Sequence, residues 1–363
     1  MSFLSSKICN VQTLICVGEG GAGKTTVAAS IALNQANAGK RVACITIDPA
    51  KRLADALGVD LDKNDGSLKD ISDLLCEYSK GSLEIGMLDA KSAFDKMVVE
   101  KSANTKSAQK LLNNTLYKYV SSSLQGMQEY MALEKLSTLI NENNYDLIVL
   151  DTPPIDNCLN FFKAPAKIKT ALNGPLVKMM QKAYLSKNSR FNFVGKWSFS
   201  LFNTLSAITG AQLFVEIIDF VDALSHLFKS FIEEASHMDL ILRSNDIKVI
   251  IISSLERNAS REIFSLENSV KALGYHVDGI VFNRCTYPGI ESEIPKELCE
   301  NMSDEIGEII SEWNLKYKIE NEIIESIKEH FSSGFIIGMV PFLNLLDNKI
   351  EFLKKIGANL KEI

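Results

Sequence analysis

The sequence predicts an α/β fold, in which a mostly parallel sheet is sandwiched by helices and carries one inserted α-helical subdomain. Two observations predict the sheet: a glycine-rich turn joins a short apolar strand to a helix near Gly18, and further short apolar strands alternate with helical patterns along the chain. A third observation predicts the insertion, because the long stretch between Leu150 and Lys248 contains no convincing strand.

The first elements of the chain form a βαβ unit. Residues 13–17 are a short apolar run bounded by Gly18, which is typical of a strand buried on both faces. Residues 25–38 are rich in alanine, a strong helix former, and Gly39 follows where a helix C-cap is expected. Residues 41–47 form a second buried strand. Strand, helix and strand in this order predict a parallel sheet.

The remaining strands and the domain organisation follow from the same patterns. We expect the strandless stretch, which is rich in Phe, Leu and Met, to form a helical subdomain inside a single interrupted domain. The predicted parts are residues 1–160 and 247–363 for the core and residues 161–246 for the insert. Further strands are expected at residues 83–88, 146–150, 248–252, 277–282 and 335–340.

Composition excludes several classes of protein. The 363 residues are 46% hydrophobic and 23% charged, which is ordinary globular composition and excludes a disordered or collagenous chain. Thirty-nine Lys and Arg against 45 Asp and Glu give a net charge of −6, so no nucleic-acid partner is expected. Because no apolar stretch approaches the length of a spanning helix and no signal-peptide pattern is present, we expect a cytoplasmic protein without a transmembrane segment.

A glycine-rich loop carries the main chemical motif. The segment from Gly18 to Thr25 fits the phosphate-binding pattern G-x-x-x-x-G-K-[ST], in which backbone N–H groups and the following helix N-terminus surround phosphate oxygens. Lys24 is expected to contact the β- and γ-phosphates and the Thr25 hydroxyl to ligate Mg²⁺, so ATP and Mg²⁺ are the predicted ligands. The nucleotide-binding residues expected here are Gly18, Glu19, Gly20, Gly21, Ala22, Gly23, Lys24, Thr25 and Thr26.

Candidate carboxylates follow two strands, at the edge where parallel sheets bind ligands. An apolar strand ends in Asp151, which fits a Walker B element that holds Mg²⁺ through water; the alternative is a strand-capping Asp. Asp48 and Asp55 follow the second strand and could meet Mg²⁺ and the attacking water. Alternatively, Asp55 is an exposed helical residue paired with Arg52 or Lys51. The expected catalytic residues are Lys24, Asp55 and Asp151, and the expected metal ligands are Thr25, Asp48 and Asp151.

Together these motifs resemble the ArsA-type family of deviant-Walker P-loop ATPases, which includes the ATPase of arsenite pumps and the targeting ATPase for tail-anchored membrane proteins. The resemblance covers nearly the whole chain and is greatest to a bacterial branch. It rests on GEGGAGKTT at residues 18–26, TIDPAKRLADALG at 46–58, SSSLQGMQEYMALEKL at 121–136, DTPPIDNCLNFFKAP at 151–165 and FNR at 282–284.

The resemblance implies a P-loop NTPase fold and a role for each matching residue. Asp55 would be the switch I residue that positions water, and Asp151 would open switch II. Asn283 would hydrogen-bond adenine with Arg284 beside it, and Pro341-Phe342 would close the adenine pocket.

The chain departs from the family pattern at the second position of the glycine-rich motif. The class carries a signature Lys there, which reaches the partner's phosphates across a dimer, whereas this chain has Glu19. A carboxylate near a triphosphate is repelled, so Glu19 would point away, meet a cation or mark altered catalysis. Lys51, Arg52 or a lysine of a paralogous partner could supply the missing charge.

The cysteines and histidines predict neither a disulfide framework nor a metal site. The seven cysteines form no CxxC pair, and the four histidines are scattered. The cysteine motifs of the two named family members are therefore absent, and arsenite activation, zinc-bridged dimerisation and an iron–sulfur cluster have no support.

An apolar stripe within the expected insert predicts a strongly amphipathic helix. In one interpretation the stripe packs on its own sheet or on a sister subunit; in the other it lines a nucleotide-gated groove for an apolar client helix. The stripe consists of Phe214, Ile217, Val221, Leu224, Phe228 and Phe231.

The functional hypothesis is an ATPase switch, in which Mg-ATP closes a dimer, hydrolysis reopens it, and the insert transmits the change to a protein or membrane-associated client. The expected partners are a second copy or a paralogous chain and a hydrophobic helical client. The alternative is a nucleotide-binding scaffold or pseudo-ATPase subunit that has lost hydrolysis through Glu19 and acts in a heterodimer. A partitioning ATPase acting on DNA or membrane is disfavoured by the acidic charge and the lack of a basic amphipathic tail.

Overall fold

A single twisted sheet organises the part of the chain that the computed structural model describes, which comprises residues 11–48, 52–60, 67–102, 105–114, 117–118, 127–174, 230–286, 304–331, 335–343 and 348–362. Its strands are β1 (Thr13–Gly18), β2 (Arg41–Thr46), β3 (Lys69–Asp70), β4 (Ser82–Met87), β5 (Leu147–Asp151), β6 (Ile247–Ser254), β7 (Gly279–Cys285), β8 (Ile336–Pro341) and β9 (Lys361–Glu362). The order of these nine described strands is β3-β4-β2-β5-β1-β6-β7-β8-β9. All neighbours are parallel except the short edge strands β3 and β9, which pair antiparallel.

Helices alternate with the strands along the chain. They are α1 (Lys24–Asn37), α2 (Arg52–Leu57), α3 (Ala90–Lys101), α4 (Thr105–Asn113), α5 (Met127–Glu142), α6 (Ile155–Leu172), α7 (Ala259–Ala272), α8 (Asp304–His330) and α9 (Lys349–Asn359), with a further helical segment at residues 230–242. Among the helices described, none combines the length and the apolar character that crossing a bilayer requires.

The central strands are apolar runs because both of their faces are buried. Every residue of β1, β5 and β8 is buried, as expected for parallel strands covered by helices on each side. The hydrophobic core beneath α1, α2 and α9 joins side chains such as Leu14, Ile31 and Val149. Burial of these apolar side chains is the main contribution to the stability of such a layered fold.

The register of the central strands brings their carboxyl ends to one edge of the sheet. Strand β1 lies between β5 and β6, with Cys16 opposite Asp151 and Gly18 opposite Ile252. On the other side of β5, Thr46 at the end of β2 is also opposite Asp151. The ends of these strands therefore form a shared platform, which is where parallel sheets bind ligands.

Two compact units account for the contacts within the chain. The first comprises Met1–Leu88, Thr138–Phe162 and Leu242–Ile363 and contains the sheet, and the second comprises Asp89–Ser137 and Lys163–Ile241. The expected insert at residues 161–246 stays a prediction, because much of it lies outside the described residues. The second unit also draws on Asp89–Ser137, which the sequence analysis assigned to the core.

The described part of the second unit is helical and has an aromatic core of its own. The rings of Phe94 and Tyr117 stack at 5.6 Å between centroids, and Phe231 packs against Phe94 and Tyr130 at 6.2 and 6.3 Å. Phe231 is the only described member of the predicted apolar stripe, and it is buried. The other five members lie outside the described residues.

The α/β class and the mostly parallel sheet are confirmed. The predicted strands of the core all occur, with small shifts at their ends, and the predicted alanine-rich helix is α1. The two edge strands β3 and β9 were not expected, because a strand of two residues has no periodicity to detect.

Candidate functional site

The glycine-rich loop leaves β1 at Gly18 and passes close to two neighbouring strands. Gly18 and Gly23 have φ angles of 150° and 86°, in the region that disfavours side chains. A Cβ at Gly18 would collide with the carbonyl of Ile252, and one at Gly23 would collide with the amide of Asn283. The loop therefore requires glycine at both positions, and its backbone is pressed against the carboxyl ends of β6 and β7.

The N-terminus of α1 is open to an anion. Gly23 is the N-cap, and among the described residues no side chain caps the helix and its first turn holds no acidic residue. The first N–H groups of a helix have no intrahelical partner and carry the positive end of the helix dipole. A helix N-terminus that follows a glycine-rich loop in this way is suited to phosphate.

Lys24 lies at the base of this loop and is nearly buried, with 7% of its surface exposed. Its Nζ donates a hydrogen bond of 2.6 Å to the backbone carbonyl oxygen of Glu19, so the ammonium group is held inside the loop. Burial lowers the pKa of Lys24, while Asp151 acts in the opposite direction. A cation with little solvent around it gains strongly from a nearby anion.

Asp151 is the most constrained carboxylate of the site. Its Oδ2 accepts hydrogen bonds from the hydroxyls of Thr25 at 2.7 Å and Thr46 at 3.0 Å. Its Oδ1 is buried and has no hydrogen-bond partner among the described residues. Burial raises the pKa of Asp151 to about 6, although Thr25, Thr46 and Lys24 lower it in part. A buried carboxylate oxygen without a partner is costly, and a bound cation or a proton would offset that cost.

These oxygens fit a magnesium ion. Mg²⁺ prefers hard oxygen ligands and is commonly held by one or two carboxylates together with phosphate and water. The hydroxyl of Thr25 and the unpartnered oxygen of Asp151 are such ligands, and Asp48 adds a third oxygen-bearing group near the cleft. Asp48 also forms an ion pair of 3.2 Å with Arg52 on the first turn of α2.

A cleft of about 550 Å³ lies above the glycine-rich loop in the first unit. A cleft of this size suits a ligand as large as a nucleotide. It carries basic groups on several elements, whereas Asp48 and Asp55 are its acidic groups among the described lining. The lining residues are Gly21, Gly23, Lys24, Thr25, Thr26, Asp48, Arg52, Asp55, Ala56, Thr152, Pro154, Arg284, Lys349, Phe352 and Leu353.

The far side of the cleft is formed by β7 and α9. Asn283 is buried, and its amide Nδ2 donates a hydrogen bond of 2.9 Å to the carbonyl oxygen of Ala22 in the glycine-rich loop. The next residue, Arg284, has a left-handed φ of 60° and lines the cleft. Lys349 and Phe352 on the first turn of α9 line it as well.

Eight of the sixteen predicted site residues line the cleft, namely Gly21, Gly23, Lys24, Thr25, Thr26, Asp48, Asp55 and Arg284. Gly18, Gly20 and Ala22 belong to the loop beneath it, and Asp151 adjoins it through Thr25. Glu19, Pro341 and Phe342 are not among the described lining residues; Pro341 ends β8, and Phe342 is 63% exposed. The assigned roles of all these residues stay predictions.

Glu19 faces an acidic neighbour instead of the cleft. Burial raises the pKa of Glu19, and a hydrogen bond with Glu262 of α7 and the negative charges of Glu262 and Glu256 raise it further. The backbone of Glu19 contributes to the loop through the bond from Lys24, whereas its side chain turns toward α7.

Helix α9 contributes cleft residues that no sequence motif predicts. Asn348 caps α9, because its side chain accepts hydrogen bonds from the N–H groups of Ile350 and Glu351. This cap and the amphipathic pattern after it predict a helix. They do not predict that its first turn lines the cleft, since that position depends on the packing of α9 against α1.

A family model described as an anion-transporting ATPase matches residues 11–361 of the chain. ATPase get3 of Aspergillus terreus is 23% identical over 339 residues, which cover 92% of this chain and 86% of the relative. The putative arsenical pump-driving ATPase 1 of Aquifex aeolicus is 22% identical over 354 residues, which cover 96% of this chain and 78% of the relative.

Similarity is higher over a shorter region in a third relative. ATPase ASNA1 homolog 1 of Paramecium tetraurelia is 29% identical over 178 residues, 49% of this chain, and the matched region spans only half (50%) of that relative's length. The match to the family model, in contrast, extends over almost the entire chain.

Proposed function

The chain belongs to the anion-transporting ATPase family, and on that premise we propose that it binds Mg-ATP in the cleft above the glycine-rich loop and hydrolyses it. One observation carries the proposal: Thr25 and Asp151 are joined at 2.7 Å beneath an open helix N-terminus, and the second oxygen of Asp151 is buried without a partner. A phosphate group and a magnesium ion would complete this arrangement.

The phosphate-binding groups are backbone N–H groups and one cation. The free backbone N–H groups of the loop and of the first turn of α1 would donate hydrogen bonds to phosphate oxygens in the cleft. Lys24 now donates to the carbonyl of Glu19 and would exchange that contact for a phosphate oxygen. Because Lys24 is nearly buried, the exchange would be strongly favourable.

The metal ligands would be Thr25, Asp48 and Asp151. The magnesium ion would neutralise charge that develops on the phosphate oxygens during transfer. The protein's own part is to hold the carboxylates in place: the Thr46 hydroxyl orients Asp151 at 3.0 Å, and Arg52 orients Asp48 at 3.2 Å.

Asp55 would orient the attacking water. It lies on α2 and lines the cleft, and the ion pair between Asp48 and Arg52 fixes the start of the same helix. In the reaction, water adds to the γ-phosphorus, the bond from that phosphorus to the bridging oxygen of ADP breaks, and inorganic phosphate carries away the water's oxygen. Phosphoryl transfer depends mainly on positioning and charge neutralisation, so one oriented carboxylate is sufficient.

We further propose that the nucleotide drives a dimer to close and open, in a homodimer or a paralogous heterodimer, and that this change is coupled to a protein or membrane-associated client. Membership of the family supports this. Because the side chain of Glu19 faces α7, this chain does not supply the signature lysine of the family, and Arg52, Lys51 or a lysine of a paralogous partner would have to supply that charge. A cytoplasmic location and a hydrophobic helical client stay predictions. Sedimentation with and without a non-hydrolysable ATP analogue tests the dimer, and an unchanged monomer in both would contradict it.

The relatives' names favour hydrolysis over a scaffold that only binds nucleotide, since each is called an ATPase. The direct test is steady-state release of phosphate from ATP in the presence of Mg²⁺. We expect turnover by the wild type, and a loss of about a hundredfold in kcat for Asp55→Asn with nucleotide binding retained. Asp60→Asn is the matched control, because Asp60 is exposed just beyond the same helix and does not line the cleft. A folded wild type that neither binds ATP nor releases phosphate would refute the proposal.

A further inference from the structure

A buried glutamate lies behind the strand that carries Arg284. Glu320 is on α8 and only 2% of its surface is exposed. Its two carboxylate oxygens accept hydrogen bonds from the backbone N–H of Thr286, at 3.1 and 3.0 Å, and Oε1 also accepts one of 2.6 Å from the Thr286 hydroxyl. One carboxylate therefore accepts hydrogen bonds from both the backbone and the side chain of Thr286.

Glu320 lies on the buried apolar face of α8. Ile323, Ile324 and Ile327 follow it at helical spacing and are buried, whereas the neighbouring acidic residue Glu322 is exposed. A carboxylate on such a face is costly to bury unless it is hydrogen-bonded. Lys316, one turn earlier on α8, has its Nζ 4.0 Å from Oε1.

The segment that Glu320 holds includes a strained residue of the cleft. Arg284 has a φ of 60°, a conformation that is sterically unfavourable for a residue with a side chain. It lies where the pairing of β7 with β8 shifts register, between Phe282 and Cys285. Such a conformation persists only where the surrounding contacts fix the chain on both sides.

The contacts on both sides of Arg284 meet that requirement. Before it, the amide of Asn283 donates to the carbonyl of Ala22 at 2.9 Å. After it, the carbonyl of Cys285 accepts a bond of 2.7 Å from Phe342 N–H, and Thr286 is held by Glu320. Asn283 therefore ties the strained residue to the glycine-rich loop, and Glu320 ties it to α8.

We propose that Glu320 is a positioning residue for the nucleotide: by holding Thr286, it keeps Arg284 in the left-handed conformation that presents this residue to the cleft. This inference rests on the proposed ATP site and identifies a residue that acts on it from outside the cleft. Glu320 itself is not among the described residues that line the cleft. Its removal would let Arg284 relax into a more common backbone conformation, and only the fraction of molecules that keeps the strained conformation would bind ATP well.

The test is a kinetic comparison in the full-length protein, with ATP as substrate and Mg²⁺ present. We expect Glu320→Ala to raise KM for ATP roughly tenfold and to leave kcat within about twofold, because Lys24, Thr25 and Asp151 are unchanged. Glu320→Gln, which keeps one acceptor oxygen, should have a smaller effect. Glu322→Ala is the matched control on the exposed face of the same helix and should change neither constant.

A double-mutant cycle separates positioning from a general loss of structure. If Glu320 acts through Arg284, then Glu320→Ala should add little to KM in an Arg284→Ala background. If Glu320→Ala does not fold, Thr286→Val and Thr286→Ser replace it: the valine variant loses the hydroxyl bond and should raise KM, whereas the serine variant keeps it and should not. An unchanged KM, or an equal rise with and without Arg284, would overturn the inference. A wild type that does not bind ATP would instead refute the proposed function itself.

Discussion

The two ends of the cleft are built in different ways. The phosphate end, defined by Lys24, Thr25 and Asp151, comes from one turn of the chain and the adjacent ends of parallel strands; Lys24 and Asp151 are buried and Thr25 is half-buried. The opposite end, which we call the base end because the resemblance implies that Arg284 lies beside adenine, is defined by Arg284, Lys349 and Phe352. It comes from a strand end and a helix that are far apart in sequence, and Arg284 is exposed. Backbone geometry and strand register position the phosphate end, whereas the base end depends on how α9 packs against α1.

The docking of α9 shows what the base end depends on. The hydroxyl of Ser30 on α1 donates a hydrogen bond of 2.7 Å to the carbonyl oxygen of Leu353, and Asn34 donates a longer one of 3.4 Å to the same oxygen. Gly357 allows close contact with Asn34, because a Cβ there would collide with the Asn34 amide. Changes at the phosphate end should therefore affect turnover strongly, and changes at the base end should affect mainly affinity and base preference.

The largest effect is expected at Lys24. Lys24→Ala removes the nearly buried cation of the phosphate end, so we expect kcat/KM for ATP to fall by roughly a thousandfold. Phosphate release at low ATP concentration measures this. Lys80→Ala, an exposed lysine away from the cleft, is the control and should retain wild-type rates. A loss of less than tenfold at Lys24 would mean that the phosphate end does not carry the charge stabilisation assigned to it.

The second effect couples activity with stability at Asp151. Asp151→Asn should lower kcat by about a hundredfold and, in metal-free buffer at pH 8, should raise the free energy of unfolding. The sign follows from burial, which raises the pKa of this carboxyl from its ordinary 3.8 to about 6, so the charged form is destabilised in the folded protein. The stability that the neutral form provides is present below the unfolded pKa and is lost as the pH rises through about 6.

Linkage limits the gain in stability from Asp151→Asn. A shift from 3.8 to about 6 corresponds to at most about 3 kcal/mol at pH 8, and the gain should shrink at pH 5 and approach zero only below the unfolded pKa of 3.8. Urea unfolding at these pH values measures it. A variant that is less stable than the wild type at pH 8 would show that the buried carboxylate is better satisfied than its unpartnered oxygen indicates.

A smaller effect is expected at the base end. Phe352→Ala removes an aromatic side chain that lines the cleft, so we expect KM for ATP to rise by about three- to tenfold, kcat to stay within twofold, and the preference for ATP over GTP to weaken. Phe352→Leu keeps most of the apolar contact, so its KM for ATP should lie between those of the wild type and Phe352→Ala. Equal losses in kcat and kcat/KM would show that Phe352 acts on turnover as the phosphate-end residues do, which would contradict the difference expected between the two ends.

The smallest effect concerns stability near the glycine-rich loop. The pKa of Glu19 is raised, first by burial and then by Glu262, so stability is lost as the pH rises above the ordinary Glu value. Glu19→Gln removes this repulsion and should raise Tm slightly at pH 8 and not at pH 4. The shift should be small, since the side chain is partly exposed and solvent screens the pair. A lower Tm at pH 8 would indicate that Glu19 is paired with a cation instead.

The sequence predicts the phosphate end of the cleft better than the base end. The glycine-rich loop is predictable because it directly follows an apolar strand in the chain, and Asp151 is predictable because it directly follows another. Both patterns depend only on residues that are neighbours in sequence. Thr46 begins the segment TIDPAKRLADALG, but that motif does not predict that Thr46 orients Asp151, because this role depends on the register between β2 and β5. Lys349 and Phe352 were missed because amphipathicity identifies the buried face of a helix and not the surface that it meets.

The central claim is that the cleft binds Mg-ATP through the pair of Thr25 and Asp151. The most direct measurement is calorimetric titration of a non-hydrolysable ATP analogue into the wild type and Thr25→Ala, with millimolar Mg²⁺ and with EDTA. Mg²⁺ should tighten binding to the wild type by tenfold or more and should have little effect on Thr25→Ala, which has lost the hydroxyl 2.7 Å from Asp151. Equal tightening in both proteins, or none in the wild type, would contradict the claim.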